Sequence, residues 1–103
     1  MKNTITLILL FLTTAFYSQN GRVGGVVADS AENGPIPGAT VFLKSATFSQ
    51  GKATNDRGMF FFDSVPFGDY TLVVSSIGFK KRERKVKVSK PRNFLGKIIM
   101  NPS

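Results

Sequence analysis

Four aspartates, a run of lysines and arginines, and a scatter of phenylalanines are the side chains with which this sequence could do chemistry. The inventory closes most catalytic routes. There is no His and no Cys, hence no Ser–His pair, no thiolate and no His–carboxylate zinc site. Asp29, Asp56, Asp63 and Asp69 would have to be paired by the fold before they could share acid–base work. Each lies in or beside a segment with turn chemistry, where the ordinary task of Asp is to bond nearby backbone amides. Asn55-Asp56-Arg57-Gly58 has the outline of a calcium loop, but calcium takes six or more oxygens, usually several from carboxylates. One acid beside an arginine reads as a turn. No enzyme, metal or other cofactor is expected.

Binding is the remaining chemistry. Lys80, Lys81, Arg82, Arg84, Lys85 and Lys87 are candidate binding residues, within a run reaching Arg92 that carries most of the net charge of +8. The run could meet an anionic surface such as lipopolysaccharide, an anionic glycan or phospholipid head groups. It could equally be an edge strand that lysines protect against edge-to-edge pairing. The second reading is preferred here. Phe61, Phe67, Phe79 and Phe94 are candidates for an exposed aromatic patch, although a small domain also fills its interior with Phe.

Short strands must position these groups. The stretch Gly51–Phe79 organises the chain. The Asn55–Gly58 turn leads into a strand with Phe60 and Phe62 on one face. Val65-Pro66-Phe67-Gly68-Asp69 turns the chain, and Tyr70, Leu72 and Val74 then alternate with Thr71, Val73 and Ser75. Upstream, Val23 and Val27 lie on a first strand. Asn33-Gly34 is a strong turn signal, and Ala39–Leu43 is a second strand behind Pro37-Gly38. Ser45 to Lys52 is polar and reads as a loop. Downstream, Val86 and Val88 alternate with lysines, and Phe94–Met100 is a last apolar strand. Strands with turn signals every 8–12 residues predict an all-β fold, a two-sheet antiparallel β-sandwich of about seven strands. The predicted inward set is Val23, Val27, Ile36, Ala39, Val41, Leu43, Phe60, Phe62, Tyr70, Leu72, Val74, Val86, Val88 and Leu95.

The N-terminus has a different character. Lys2 precedes an apolar run from Ile5 to Leu12, followed by the small residues Thr13-Thr14-Ala15. Residues 1–18 read as a secretory signal peptide, because the apolar run is short for a membrane anchor of roughly 20 residues. Residues 19–103 form one domain. Export separates it from nucleic acid, so none is expected as a partner.

Five motifs in series carry a family resemblance. They are Val23-x-Gly25-x-Val27-x-Asp29, Pro35-Ile36-Pro37-Gly38-Ala39-Thr40-Val41 and Thr54-Asn55-Asp56-x-Gly58-x-Phe60. Val65-Pro66-x-Gly68-x-Tyr70-x-Leu72-x-Val74 and Ile77-Gly78-Phe79 complete the set. From about Val23 to Met100 the chain resembles the carboxypeptidase regulatory-like domain. The resemblance implies a transthyretin-like (prealbumin-like) sandwich and a non-catalytic module. Such domains occur beside metallocarboxypeptidases, in secreted and surface proteins, and at the N-termini of TonB-dependent outer-membrane receptors. A leader followed directly by this domain resembles the last case most. The histidine-dependent hydroxyisourate hydrolase activity known on this fold is not carried over to a chain without His. The expected setting is the periplasm, outer membrane or surface of a Gram-negative bacterium. The expected partner is a protein or a covalent neighbour domain. The alternative is a stand-alone secreted module that binds carbohydrate or an anionic envelope polymer.

Overall fold

The structure, a computed structural model, describes residues 19–103; the leader assigned to residues 1–18 lies outside them. Seven strands follow in order: β1 (Asn20–Asp29), β2 (Thr40–Lys44), β3 (Ser49–Ala53), β4 (Met59–Pro66), β5 (Gly68–Ser75), β6 (Arg82–Val88) and β7 (Arg92–Met100). They form a three-stranded sheet, β4-β1-β7, and a four-stranded sheet, β3-β2-β5-β6. The predicted two-sheet all-β fold is therefore present, with one departure from a wholly antiparallel arrangement. β1 and β7 run parallel. Their connection spans the other sheet, so no hairpin constrains their relative direction.

The core lies between the sheets. Thirteen of the fourteen residues predicted to face inward are buried there; Leu95 packs against the core but is only half-buried. Val65, Ile98 and Met100 join the core, and two bulges explain why simple alternation missed them. In β4, Asp63 and Ser64 together oppose Arg22, with Ser64 at a φ of 55°. The extra residue lets Phe62 and Val65 both point inward. In β7, Leu95 and Gly96 oppose Gly25, with Gly96 at a φ of 73°. Phe94 and Lys97 therefore both face out, and Ile98 and Met100 face in. Burying side chains such as Phe60, Phe62, Leu72 and Ile98 contributes roughly 1.5–3 kcal/mol each.

The segment Ser45–Lys52, read from sequence as a loop, contains most of β3, which is exposed along its whole length. β3 depends on backbone pairing with β2 at a sheet edge. A strand with no buried face leaves no apolar alternation to detect.

The recurring motifs interlock at one end of the sandwich. Buried Thr54 accepts a hydrogen bond from the Ala39 amide (2.9 Å) and donates one to the Ile36 carbonyl (2.6 Å). The Val27 amide donates to the Gly58 carbonyl, and the Ile36 amide donates to the Val27 carbonyl. Gly58 has a φ of +72°, and a Cβ there would come within 2.5 Å of the Val27 carbonyl oxygen. Only glycine fits this conformation and this closeness. At Pro66-Phe67-Gly68 the chain crosses from one sheet to the other, and the Tyr70 hydroxyl pins the corner by donating to the Pro66 carbonyl (2.6 Å). Burial pushes the Tyr70 phenol above its ordinary pKa.

Candidate functional site

The motifs build the frame, so the functional chemistry must lie on the faces and edges. Among the described residues no three acidic side chains gather into a group that could hold a metal ion. Asp29 accepts from the Ala31 amide (2.8 Å), and Asp63 pairs with Arg22 (3.1 Å). In the supposed calcium loop the Asn55 side chain, not Asp56, does the bonding: its Oδ1 accepts from the amides of Arg57 (2.9 Å) and Met59 (3.0 Å). This is an Asx-type turn.

The fold disperses the basic run. Arg82 and Arg84 share the parity of inward-facing Val86 and Val88, and they reach across to the edge of the other sheet. There the Arg82 guanidinium donates to the Ile99 carbonyl and that of Arg84 to the Leu95 carbonyl (3.2 Å). The two arginines clasp β6 to β7 and occupy edge acceptors that no strand satisfies. Lys85 and Lys87 lie on the outward side of β6, with Lys87 opposite Asp69 on β5. Lys81 precedes the strand and reaches Glu83 at 4.0 Å. The Lys80 amide donates to the Asn101 carbonyl. These six residues therefore do not form one stripe.

A different cluster assembles on the outward face of the three-stranded sheet. In register across the strands lie Phe61 on β4, Gly24 on β1 and Phe94 on β7. The Phe61 ring leans over Gly24, so close that a Cβ there would come within 2.7 Å of it. The Arg22 guanidinium sits 4.6 Å from the centre of the Phe61 ring, a cation–π contact, while its Nε pairs with Asp63. Phe94 is 69% exposed. Arg92 stands opposite Arg22 and, among the described residues, pairs with no carboxylate. Asn93 fixes this corner, donating to the carbonyls of Arg22 (3.1 Å) and Lys90 (2.8 Å). Together these residues line an open cleft of about 340 Å³.

Of the four patch candidates, the fold brings Phe61 and Phe94 together; Phe67 and Phe79 pack against the core. Arg22 and Gly24 were missed in the sequence. The available signal was their alternation, since residues two apart on β1 share a face with residues two apart on β4.

A two-sheet, seven-stranded frame of this topology defines a prealbumin-like β-sandwich module. The sequence matches the family described as the CarboxypepD_reg-like domain over residues 23–101, and the chain belongs to that family. Among curated proteins there is no sequence match. Similar solved structures share the fold. One is the Bacillus anthracis TIE protein, with 16% identity, a TM-score of 0.69, and coverage of 81% of this chain and 16% of that one. Another is the group B streptococcus pilus 2b backbone protein, with 15% identity, a TM-score of 0.68, and coverage of 82% and 42%. A third is the Klebsiella pneumoniae 5-hydroxyisourate hydrolase, with 18% identity, a TM-score of 0.67, and coverage of 81% and 91%. The chain thus spans less than half the length of the first two.

Proposed function

We propose that this chain is a non-catalytic contact module of the bacterial envelope, forming the N-terminal domain of a TonB-dependent receptor. The observation that carries the reading is the direct succession of a secretory-type leader, residues 1–18, and a domain of this family from residue 23. The surface fits a contact role. At the end of the domain where the Ser103 amide donates to the Gly78 carbonyl, Ile77 is fully exposed on the adjoining turn. A covalent neighbour placed after Ser103 would meet that apolar tip first. Fractionation of the source bacterium tests the proposal. An antibody against residues 19–103 should detect an outer-membrane band much larger than this chain. A band of the chain's own size confined to the soluble periplasm would overturn it.

The second reading, a free secreted module that binds an anionic polymer, is favoured by the aromatic and arginine-lined cleft. The same blot then shows a small product in the culture medium.

A further inference from the structure

We infer that the cleft over Gly24 binds an acidic sugar unit of a polysaccharide, with Phe94 as the stacking surface and Arg92 as the carboxylate partner. This deepens the second reading, a module that binds an anionic polymer, and rests on it. The cleft lies in the middle of a sheet face, on the central strand β1. There the backbone pairs with β4 on one side and β7 on the other. On this central strand a peptide cannot add itself as a further strand, because both sides of its backbone are already paired. What remains is a shallow floor formed where the Phe61 ring lies over Gly24, flanked on β7 by the exposed Phe94 ring. The face of an aromatic ring is electron-rich and receives the polarised C–H face of a sugar ring laid flat upon it. Phe94, largely exposed, is free for this contact, whereas the Phe61 ring already carries the Arg22 guanidinium.

Charge selects among sugars. Asp63 offsets Arg22, but no acid offsets Arg92 among the described residues. A guanidinium fork beside a stacking ring matches a carboxylate attached to the sugar, bonded through two parallel N–H groups. The volume of about 340 Å³ is at the lower end for small-ligand clefts, suited to a sugar unit. A lipid would need an apolar trough for its tails, and the apolar lining here is limited to two rings and a glycine.

Calorimetric titration of the purified chain with polygalacturonate, alginate and hyaluronan tests the assignment. Dextran, poly-glutamate and phosphatidylglycerol vesicles serve as comparisons. At least one uronate polymer should bind, and each comparison should bind at least tenfold more weakly. R92Q should weaken uronate binding about tenfold, the loss expected for a charge-assisted hydrogen bond. F94A should weaken it several-fold through the lost stack. Both positions are exposed, so circular dichroism should report an unchanged fold. K85Q, on the other sheet, should leave affinity unchanged. Absence of binding to all three uronates would overturn the inference while leaving the fractionation result intact. So would equal binding of poly-glutamate or vesicles, or full affinity in F94A.

Discussion

Two phenylalanine–glycine pairs occupy the two outward faces of this sandwich. On the smaller sheet Phe61 lies over Gly24; on the larger sheet Phe42 lies over Gly51. Both are direct cross-strand partners, and a Cβ on either glycine would come within 2.7 Å of the opposing ring. In both, an aromatic ring covers a glycine and restores the packing that the missing side chain costs the sheet. An aromatic residue on an outward face is therefore not by itself a sign of a ligand. The surroundings separate the two. Gly51 lies on the edge strand β3, and the other neighbour of Phe42 is Val73, buried beneath the outer surface. Gly24 lies on a central strand and has a second, largely exposed ring on its far side, with Arg92, unpaired among the described residues, two positions before it on β7. On the larger sheet the ring of the pair is itself half-exposed, in a cleft with Lys44 and Lys81; on the smaller sheet a second ring and a guanidinium stand beside the pair.

Both faces rest on one shared core, and the largest expected effect tests this premise. Phe62, fully buried and edge-on to Phe60 at 6.0 Å, should cost about 3–5 kcal/mol when replaced by Ala. Urea unfolding that shows a loss below about 1 kcal/mol would remove the premise. Next come the glycines themselves. Gly24→Val drives a side chain into the Phe61 ring on a central strand, for an expected loss of about 1–3 kcal/mol. Gly51→Val displaces only a half-exposed ring at an edge and should cost less than about 1 kcal/mol. Equal losses would mean that position in the sheet is not what separates the pairs.

A smaller free-energy effect, below about 0.5 kcal/mol, is expected for replacing Lys85 and Lys87 together with Thr. Its readout is turbidity: the edge strand of the larger sheet loses its repelling charges and should aggregate more readily. Unchanged solubility would assign these lysines another role. The smallest effect is alkaline. Because burial raises the Tyr70 pKa in the folded chain, its phenol ionises first in the unfolded chain. The associated stability is intact below about pH 10 and is lost as pH rises through the folded value. Tyr70→Phe should flatten that alkaline decline, and an identical decline in both proteins would show that Tyr70 does not contribute.

Much of the frame was legible in the sequence because period-2 alternation holds over β2, β5 and the end of β6. There Val41 and Leu43, then Leu72 and Val74, then Val86 and Val88 point inward as their spacing predicts. It failed where one residue is inserted. Ser64 and Gly96 each shift the phase of a strand; Ser64 carries no local signal, whereas an isolated glycine inside a strand pattern, as at Gly96, is the usual mark of a bulge. β3 escaped because it buries nothing. The candidate site was half legible. Phe61 and Phe94 were suspected, but their meeting across Gly24 depends on the β7 bulge and on the parallel pairing, both long-range consequences of the fold. The division of the basic run between two sheets was not legible for the same kind of reason. Nothing in its spacing reveals that Arg82 and Arg84 would meet carbonyls on β7.

The placement of β1 between β4 and β7 also sets an order of events in time. No hairpin serves this strand: both of its neighbours stand far along the chain, and β7 is the last strand of all. Closing such long loops costs chain entropy before any contact repays it, so folding is slow in proportion. A chain emerging from the ribosome holds β1 without its second neighbour until the final strand is made. Ile98 and Met100, which seal the interior, arrive last. The four-stranded sheet, with its hairpin-linked β2–β3 and β5–β6, can form early; the smaller sheet closes only at completion. Synthesis of this domain is thus almost over before its smaller sheet can close.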